Sequence, residues 1–269
     1  VILCCTADSH LGDAHSSDGL VHWNGRNNVR AVWEWIKENI PHPDRVVLNG
    51  CSAGALGLFY WSNSFLQYFK NVGVQSEHIT VVFDSMTGLF DQFEPSREWN
   101  HCSRDDYGWT TQQYQDCLRE DFSIVDVNLF TQARFRDVPF VFIMYKNDIF
   151  VRSYACPNFS CSQAELYDMN KALLRLYTES AGERSNVLSY LINGCLHCVF
   201  EHGSSIPPFT AVKSGRGEPT VAQYMETLST REKDTELTQS CVPLFRFLRG
   251  GVIDYGCDPI LSQARFRMG

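Results

Sequence analysis

The residues best placed for chemistry are one serine, two carboxylates that follow apolar runs, and one histidine. Ser52 stands in Gly50-Cys51-Ser52-Ala53-Gly54, directly after the β-branched run "RVVLN" and directly before the apolar stretch "ALGLFYW". A strand that turns sharply into a helix forces the residue at the turn into a strained backbone conformation and lifts its side chain clear of the sheet. Flanking glycines let strand and helix approach closely, and the helix N-terminus beneath the serine favours developing negative charge. The chemistry such a serine offers is attack on an acyl carbon, with the N–H of Ala53 aimed at the oxyanion that forms.

A serine hydroxyl is a weak nucleophile until a histidine removes its proton, and a carboxylate must hold that histidine in the right tautomer. In hydrolases with this elbow the chain order is Ser, acid, His, each at the carboxyl end of a strand. Asp148 follows "VPFVFIMY" and His197 follows "VLSYLI", so type, order and placement agree. Asp84, after "ITVVF", is the second candidate acid; its alternative role is to hydrogen-bond the loop that follows its own strand. His202 is the alternative base, farther from the strand end.

Other clusters offer rival chemistry. Cys195 and Cys198 bracket His197 in a Cys-x-x-Cys, a spacing found in redox pairs and in half of a zinc site. A redox pair belongs at the start of a helix after an early strand, and no second ligand pair is evident, which leaves a disulfide pinning the histidine loop. The segment "TADSHLGDAHSSDGLVHW" gathers Asp8, Asp13, Asp18, His10, His15 and His22, without a recognisable metal-binding spacing. It reads as a polar loop, and no metal or cofactor is expected. Neither a dinucleotide fingerprint nor a phosphate loop occurs.

The elements that must position these residues alternate. Strands are expected over 1–5, 45–49, 79–83, 138–145 and 187–192, and helices over 26–40, 55–69 and 162–182. Ser162 and Glu165 form a capping-box pattern and Gly182 closes the last helix. The pattern implies one α/β domain over 1–269 with a mostly parallel sheet covered on both faces, and a polar excursion at 91–121 on top of the core. The stretch after residue 204 is rich in Pro and Gly and then weakly helical.

A chain of 269 residues, 44% hydrophobic, can bury such a core. Its net charge of -8 argues against a nucleic-acid partner, which needs a concentrated basic face. No apolar run is long enough for a membrane span. Eleven cysteines are many for this length. Cys102, Cys117, Cys156 and Cys161 sit in polar surroundings and Cys241 and Cys257 near the end, as suits disulfides in an oxidising compartment. An odd count leaves a free thiol or a partner cysteine elsewhere. Val1 opens within an apolar run, so a natural start upstream, carrying any secretory signal, is expected.

Four stretches, "CCTADSHLGDA", "HWNGRNNVRAVWEWI", "PHPDRVVLNGCSAGALGLFYW" and "VVFDSMTGLF", resemble the pectin acetylesterase family. The likeness spans about residues 1–200, is most specific at "NGCSAGA", and is nearest to the bacterial and protist branch. Plant pectin acetylesterases and the animal Notum-type palmitoleoyl-protein carboxylesterases are more distant. The resemblance implies an α/β-hydrolase fold and ester hydrolysis through Ser52, Asp148 and His197. It also implies a Gly-Gly-x-x-Cys-type segment, supplying further oxyanion donors, upstream of Val1; without it, the chain as given is expected to be poorly active.

The combined expectation is a secreted or lumenal serine carboxylesterase acting on O-acetyl groups of a polysaccharide. A fatty-acyl ester is the alternative within that class. A silent hydrolase-fold module binding glycans through exposed Trp99, Tyr107, Trp109 and Tyr114 is the rival outside it.

Overall fold

Val46–Cys51 (β3), Ile79–Asp84 (β4), Phe140–Tyr145 (β5) and Val187–Ile192 (β6) form one parallel sheet in the order β3-β4-β5-β6 in the computed structural model of the protein. The structure describes residues 7–89, 97–156, 159–182, 185–192 and 194–200. The expected first strand, His202, Cys241, Cys257 and the Pro/Gly-rich stretch lie outside the described residues. Every residue of β4 and β5 is buried, as expected of parallel strands covered on both faces. Pairing in register sets Cys51 beside Asp84, Asp84 beside Ile143 and Tyr145 beside Ile192, so the carboxyl ends of all four strands share one edge.

Helices supply the cover. Ala53–Asn71 (α2) follows β3 without a linker and presents Phe59, whose ring stacks on Phe83 at 4.2 Å. Gln163–Ser180 (α7) stacks Tyr177 on Phe142 at 5.4 Å against the same face. The Ser162 and Glu165 pattern is a capping box in the structure. Gly25–Asn39 (α1) buries Trp33 against Phe65, Tyr68 and Phe69 of α2. On the opposite face of the sheet, Val82, Val141, Ile143, Leu188, Tyr190 and Ile192 form a second cluster that takes in Val199. Arrangement and connectivity are those of an α/β-hydrolase-like fold.

Among the described residues, the region between β4 and β5 holds three α-helices, Arg104–Tyr107 (α3), Thr111–Leu118 (α4) and Ile124–Arg134 (α5). It departs from expectation in one respect. Tyr107 is fully buried and Trp109 nearly so, while Trp99 and Tyr114 are half-buried. The reason lies in α2, whose Tyr60 and Trp61 turn an aromatic face outward. Tyr107 packs edge-on to Trp61 at 5.2 Å, and Tyr60 meets Tyr107 and Trp109 at 5.4 and 5.6 Å. The rings of Tyr107 and Trp109, expected from the sequence to be exposed, serve the core instead.

Arg26 of α1 anchors the same region. Its buried guanidinium donates to Asp13 at 2.7 Å and to the carbonyl oxygens of Asn100 and Cys102 at 2.7 and 3.3 Å, and lies 3.4 Å from the Asp106 carboxylate. Cys102–Cys117 and Cys156–Cys161 are disulfides, and Cys195 is the one cysteine among the described residues outside a disulfide.

Candidate active site

Ser52 is the N-cap of α2 and has φ 53° and ψ -118°. Non-glycine residues occupy such backbone only where the surroundings hold them there. Two contacts do so: the Ser52 N–H donates to the Asp84 carbonyl at 2.9 Å, and the Ser52 carbonyl accepts the Leu56 N–H at 3.0 Å. The two flanking glycines are not equivalent. A Cβ at residue 50 would lie 2.4 Å from the Gly54 carbonyl oxygen, whereas one at residue 54 would meet nothing within 4 Å. Close packing of strand on helix therefore rests on Gly50 alone. Ser52 is half-buried and Ala53 exposed at the sheet edge.

Asp148 follows β5 and caps Ile149–Ala155 (α6). Its side chain is fully buried and divides its work between two oxygens. Oδ1 accepts the N–H groups of Phe150 and Val151, both at 3.0 Å, and Oδ2 lies 2.7 Å from Nδ1 of His197. The helix start thus locks the carboxylate, and the carboxylate favours a proton on Nδ1, which makes Nε2 the basic nitrogen. The exposed ring of Phe150 packs 5.0 Å from the imidazole.

His197 sits on the loop after β6, held from both sides. Upstream, the carbonyls of Gly194 and Cys195 accept the N–H groups of Asn147 and Ile149. Downstream, Cys198 is disulfide-bonded to Cys51. Ser52 and His197 are therefore each the immediate neighbour of one end of the same covalent bond. The ligand atoms of Cys51, His197 and Cys198 all fall within 4.8 Å of one another, which brings the imidazole to the elbow. The Cys-x-x-Cys is not an internal pair; Cys198 pins the histidine loop, as one reading of that spacing requires.

Asp84, the rival acid, faces elsewhere. Its carboxylate accepts the N–H groups of Val199 and Phe200, both at 2.9 Å, and the Ser85 hydroxyl at 3.1 Å. Burial pushes this carboxyl above its ordinary range, and the donors from Phe200, Val199 and Ser85, with nearby His197, pull it back. Of the two candidate acids, the imidazole has Asp148. Ser85 carried no signal in the sequence beyond its place after a strand-end aspartate, and Cys51 none that named its partner.

The Asp- and His-rich segment forms a short hairpin, Ala14–His15 (β1) with His22–Trp23 (β2), not the plain loop expected. Its carboxylates have local partners: Asp8 takes the N–H groups of Gly25 and His10, Asp13 takes Arg26 and Asn27, and Asp18 takes Ser16 and Leu20. Burial lowers the pKa of His10, with the Asp8 charge opposing. Two sulfur–histidine groups occur among the described residues, the one at the elbow and His101 with Cys102 and Cys117. In both, the sulfurs are joined in a disulfide.

Parallel sheet, strained serine elbow and strand-end Asp–His pair are features of an α/β-hydrolase-like protein. A family model described as Pectinacetylesterase matches residues 1–123 and supports the pectin acetylesterase family, hence an acetylesterase-type hydrolase of carboxylic esters. That match contains Ser52 and Ala53, while Asp148 and His197 lie beyond it. No curated protein matches the chain.

Proposed function

We infer that the protein is a serine carboxylesterase in which Ser52 is the nucleophile, His197 the general base and acid, and Asp148 the residue that orients and charges the imidazole. The observation that carries this reading is the 2.7 Å Asp148–His197 contact on a loop disulfide-bonded to the residue before Ser52. His197 takes the Ser52 proton through Nε2 as Oγ attacks the ester carbonyl. The Ala53 N–H, at the start of α2, stabilises the oxyanion. The imidazolium then protonates the departing alkoxide, and the same nitrogen activates the water that releases the acid.

The substrate we assign is an O-acetyl group on a polysaccharide, in keeping with the family match. Phe150, beside the imidazole, and exposed Leu196 give the rim an apolar character suited to an acyl methyl group. Three disulfides support a secreted or lumenal setting.

The test is Ser52→Ala in the full-length protein, read by fluorophosphonate labelling and by hydrolysis of a nitrophenyl acetate. The wild type should be labelled and active, and the variant neither, with an unchanged circular dichroism spectrum. An active variant, or a folded wild type that resists labelling, would overturn the assignment.

A further inference from the structure

Three successive N–H groups follow His197, and all three end on two side chains at the carboxyl end of β4, those of its last residue and of the residue after it. Cys198 N donates to the Ser85 hydroxyl at 2.9 Å, Val199 N to Asp84 Oδ1 at 2.9 Å and Phe200 N to Asp84 Oδ2 at 2.9 Å. The Ser85 hydroxyl sends its own proton to Asp84 Oδ1 at 3.1 Å, which fixes the direction of its lone pair toward Cys198. Asp84 and Ser85 are both fully buried. Ser85 is held at φ 56°, and its N–H donates to Ile143 at 2.8 Å, so the platform is anchored to β5 as well. The main-chain oxygen of Asp84 meanwhile accepts the N–H of Ser52.

We propose that Asp84 and Ser85 are positioning residues, which hold the backbone after His197 and so fix the imidazole relative to the serine elbow. The proposal rests on the esterase reading given above. One residue thereby ties both partners of the proton transfer to the end of one strand: its carbonyl takes the nucleophile's N–H and its carboxylate takes the histidine loop. A carboxylate suits this task because it only accepts, and here every group facing it donates. In Asp84→Asn, one oxygen becomes an NH₂ that must face an N–H or a hydroxyl, and the loop must shift to relieve that donor–donor clash. In Ser85→Ala, Cys198 N loses its acceptor while Asp84 keeps both backbone donors. Displacement of a reacting group by about 1 Å is enough to cost roughly 10²-fold in rate.

Both variants are made in the full-length protein and compared in two ways. The first is steady-state hydrolysis of a nitrophenyl acetate, where kcat should fall by about 10²-fold for Asp84→Asn and about 10-fold for Ser85→Ala, with KM nearly constant. The second is the exchange-protected imidazole Nδ1–H proton resonance of His197, which should weaken or vanish in both. Arg26→Met, a destabilised variant away from the site, should keep the resonance and kcat below its melting range. Retention of the resonance and of kcat in both Asp84→Asn and Ser85→Ala overturns the proposal, as does an equal loss in Arg26→Met. If the wild type is neither labelled nor active, the esterase reading fails, and the resonance alone then decides whether these residues hold the imidazole.

Discussion

Removing the Cys51–Cys198 bond, by Cys51→Ala with Cys198→Ala, perturbs the longest covalent loop among the described residues. Its cysteines are 147 residues apart, against 15 for Cys102–Cys117 and 5 for Cys156–Cys161. In the chain-entropy account a cross-link removes about 2.1 + 1.5R ln n cal/mol/K from the unfolded ensemble. That amounts at 25 °C to about 5, 3 and 2 kcal/mol for the three loops in that order. The spread of about 3 kcal/mol between the extremes is independent of the constant and is the firmer expectation. At about 2–4 °C per kcal/mol for a chain of this size, the long-loop variant should melt roughly 10–20 °C lower. Its kcat at 25 °C should change by less than about tenfold, because the N–H groups of 198–200 still end on Ser85 and Asp84. The assay is guanidinium unfolding and calorimetry of the three paired-alanine variants, with kcat measured on the folded fraction. Equal losses for all three pairs, or an order opposite to loop length, would refute the reasoning. A collapse of kcat with little loss of stability would show that the bond, and not the hydrogen bonds, holds the imidazole.

Further outcomes follow from packing and charge. Gly50→Ala should cost about 2–3 kcal/mol or abolish the elbow, since its Cβ would lie 2.4 Å from the Gly54 carbonyl oxygen, and urea unfolding measures this. Gly54→Ala, whose Cβ meets nothing within 4 Å, should be neutral or up to about 0.5 kcal/mol stabilising in the same assay. Arg26→Met should destabilise by about 3 kcal/mol, because the carbonyls of Asn100 and Cys102 lose their buried donor and the Asp13 and Asp106 carboxylates, though still held by Asn27 and Arg30, lose a buried cation. The hydrogen bond from Arg26 holds the Asp13 carboxyl below its ordinary 3.8, against the opposing effect of burial. A folded-state value below the unfolded one gives stability that is complete above 3.8 and is lost as pH falls through the folded value. Unfolding free energy followed by tryptophan fluorescence should therefore drop in that acid window, and the drop should shrink in Arg26→Met.

The features legible in the sequence were those set by local chemistry or by chain order. A β-branched run, one glycine-flanked serine and an apolar helix announced the elbow, and the capping residues Ser162 and Glu165 announced the helix that separates Asp148 from His197. What stayed hidden were choices among equivalent partners. Chain order put Asp148 ahead of Asp84 as the acid, but nothing in the flanks of either says which backbone N–H groups it also accepts, those of Phe150 and Val151 for Asp148 or those of Val199 and Phe200 for Asp84, since every residue but proline offers one. Cys51 had several cysteines to choose from, and a partner 147 residues away leaves no trace in spacing. Tyr107 and Trp109 lie in a polar stretch, and their burial depends on Tyr60 and Trp61 needing cover, a demand made by a helix some 45 residues earlier.

The elbow's covalent tie to the last described loop has a bearing on how the molecule is made. The Cys51 thiol leaves the ribosome long before Cys198 exists, and in that interval it meets Cys102, Cys117, Cys156 and Cys161 as they emerge. Each is a competent but wrong mate, and a catalyst that reshuffles disulfides speeds the slow exchange by which the early thiol is freed for its distant one. Yield in a recombinant host should thus track isomerase supply more than oxidant strength.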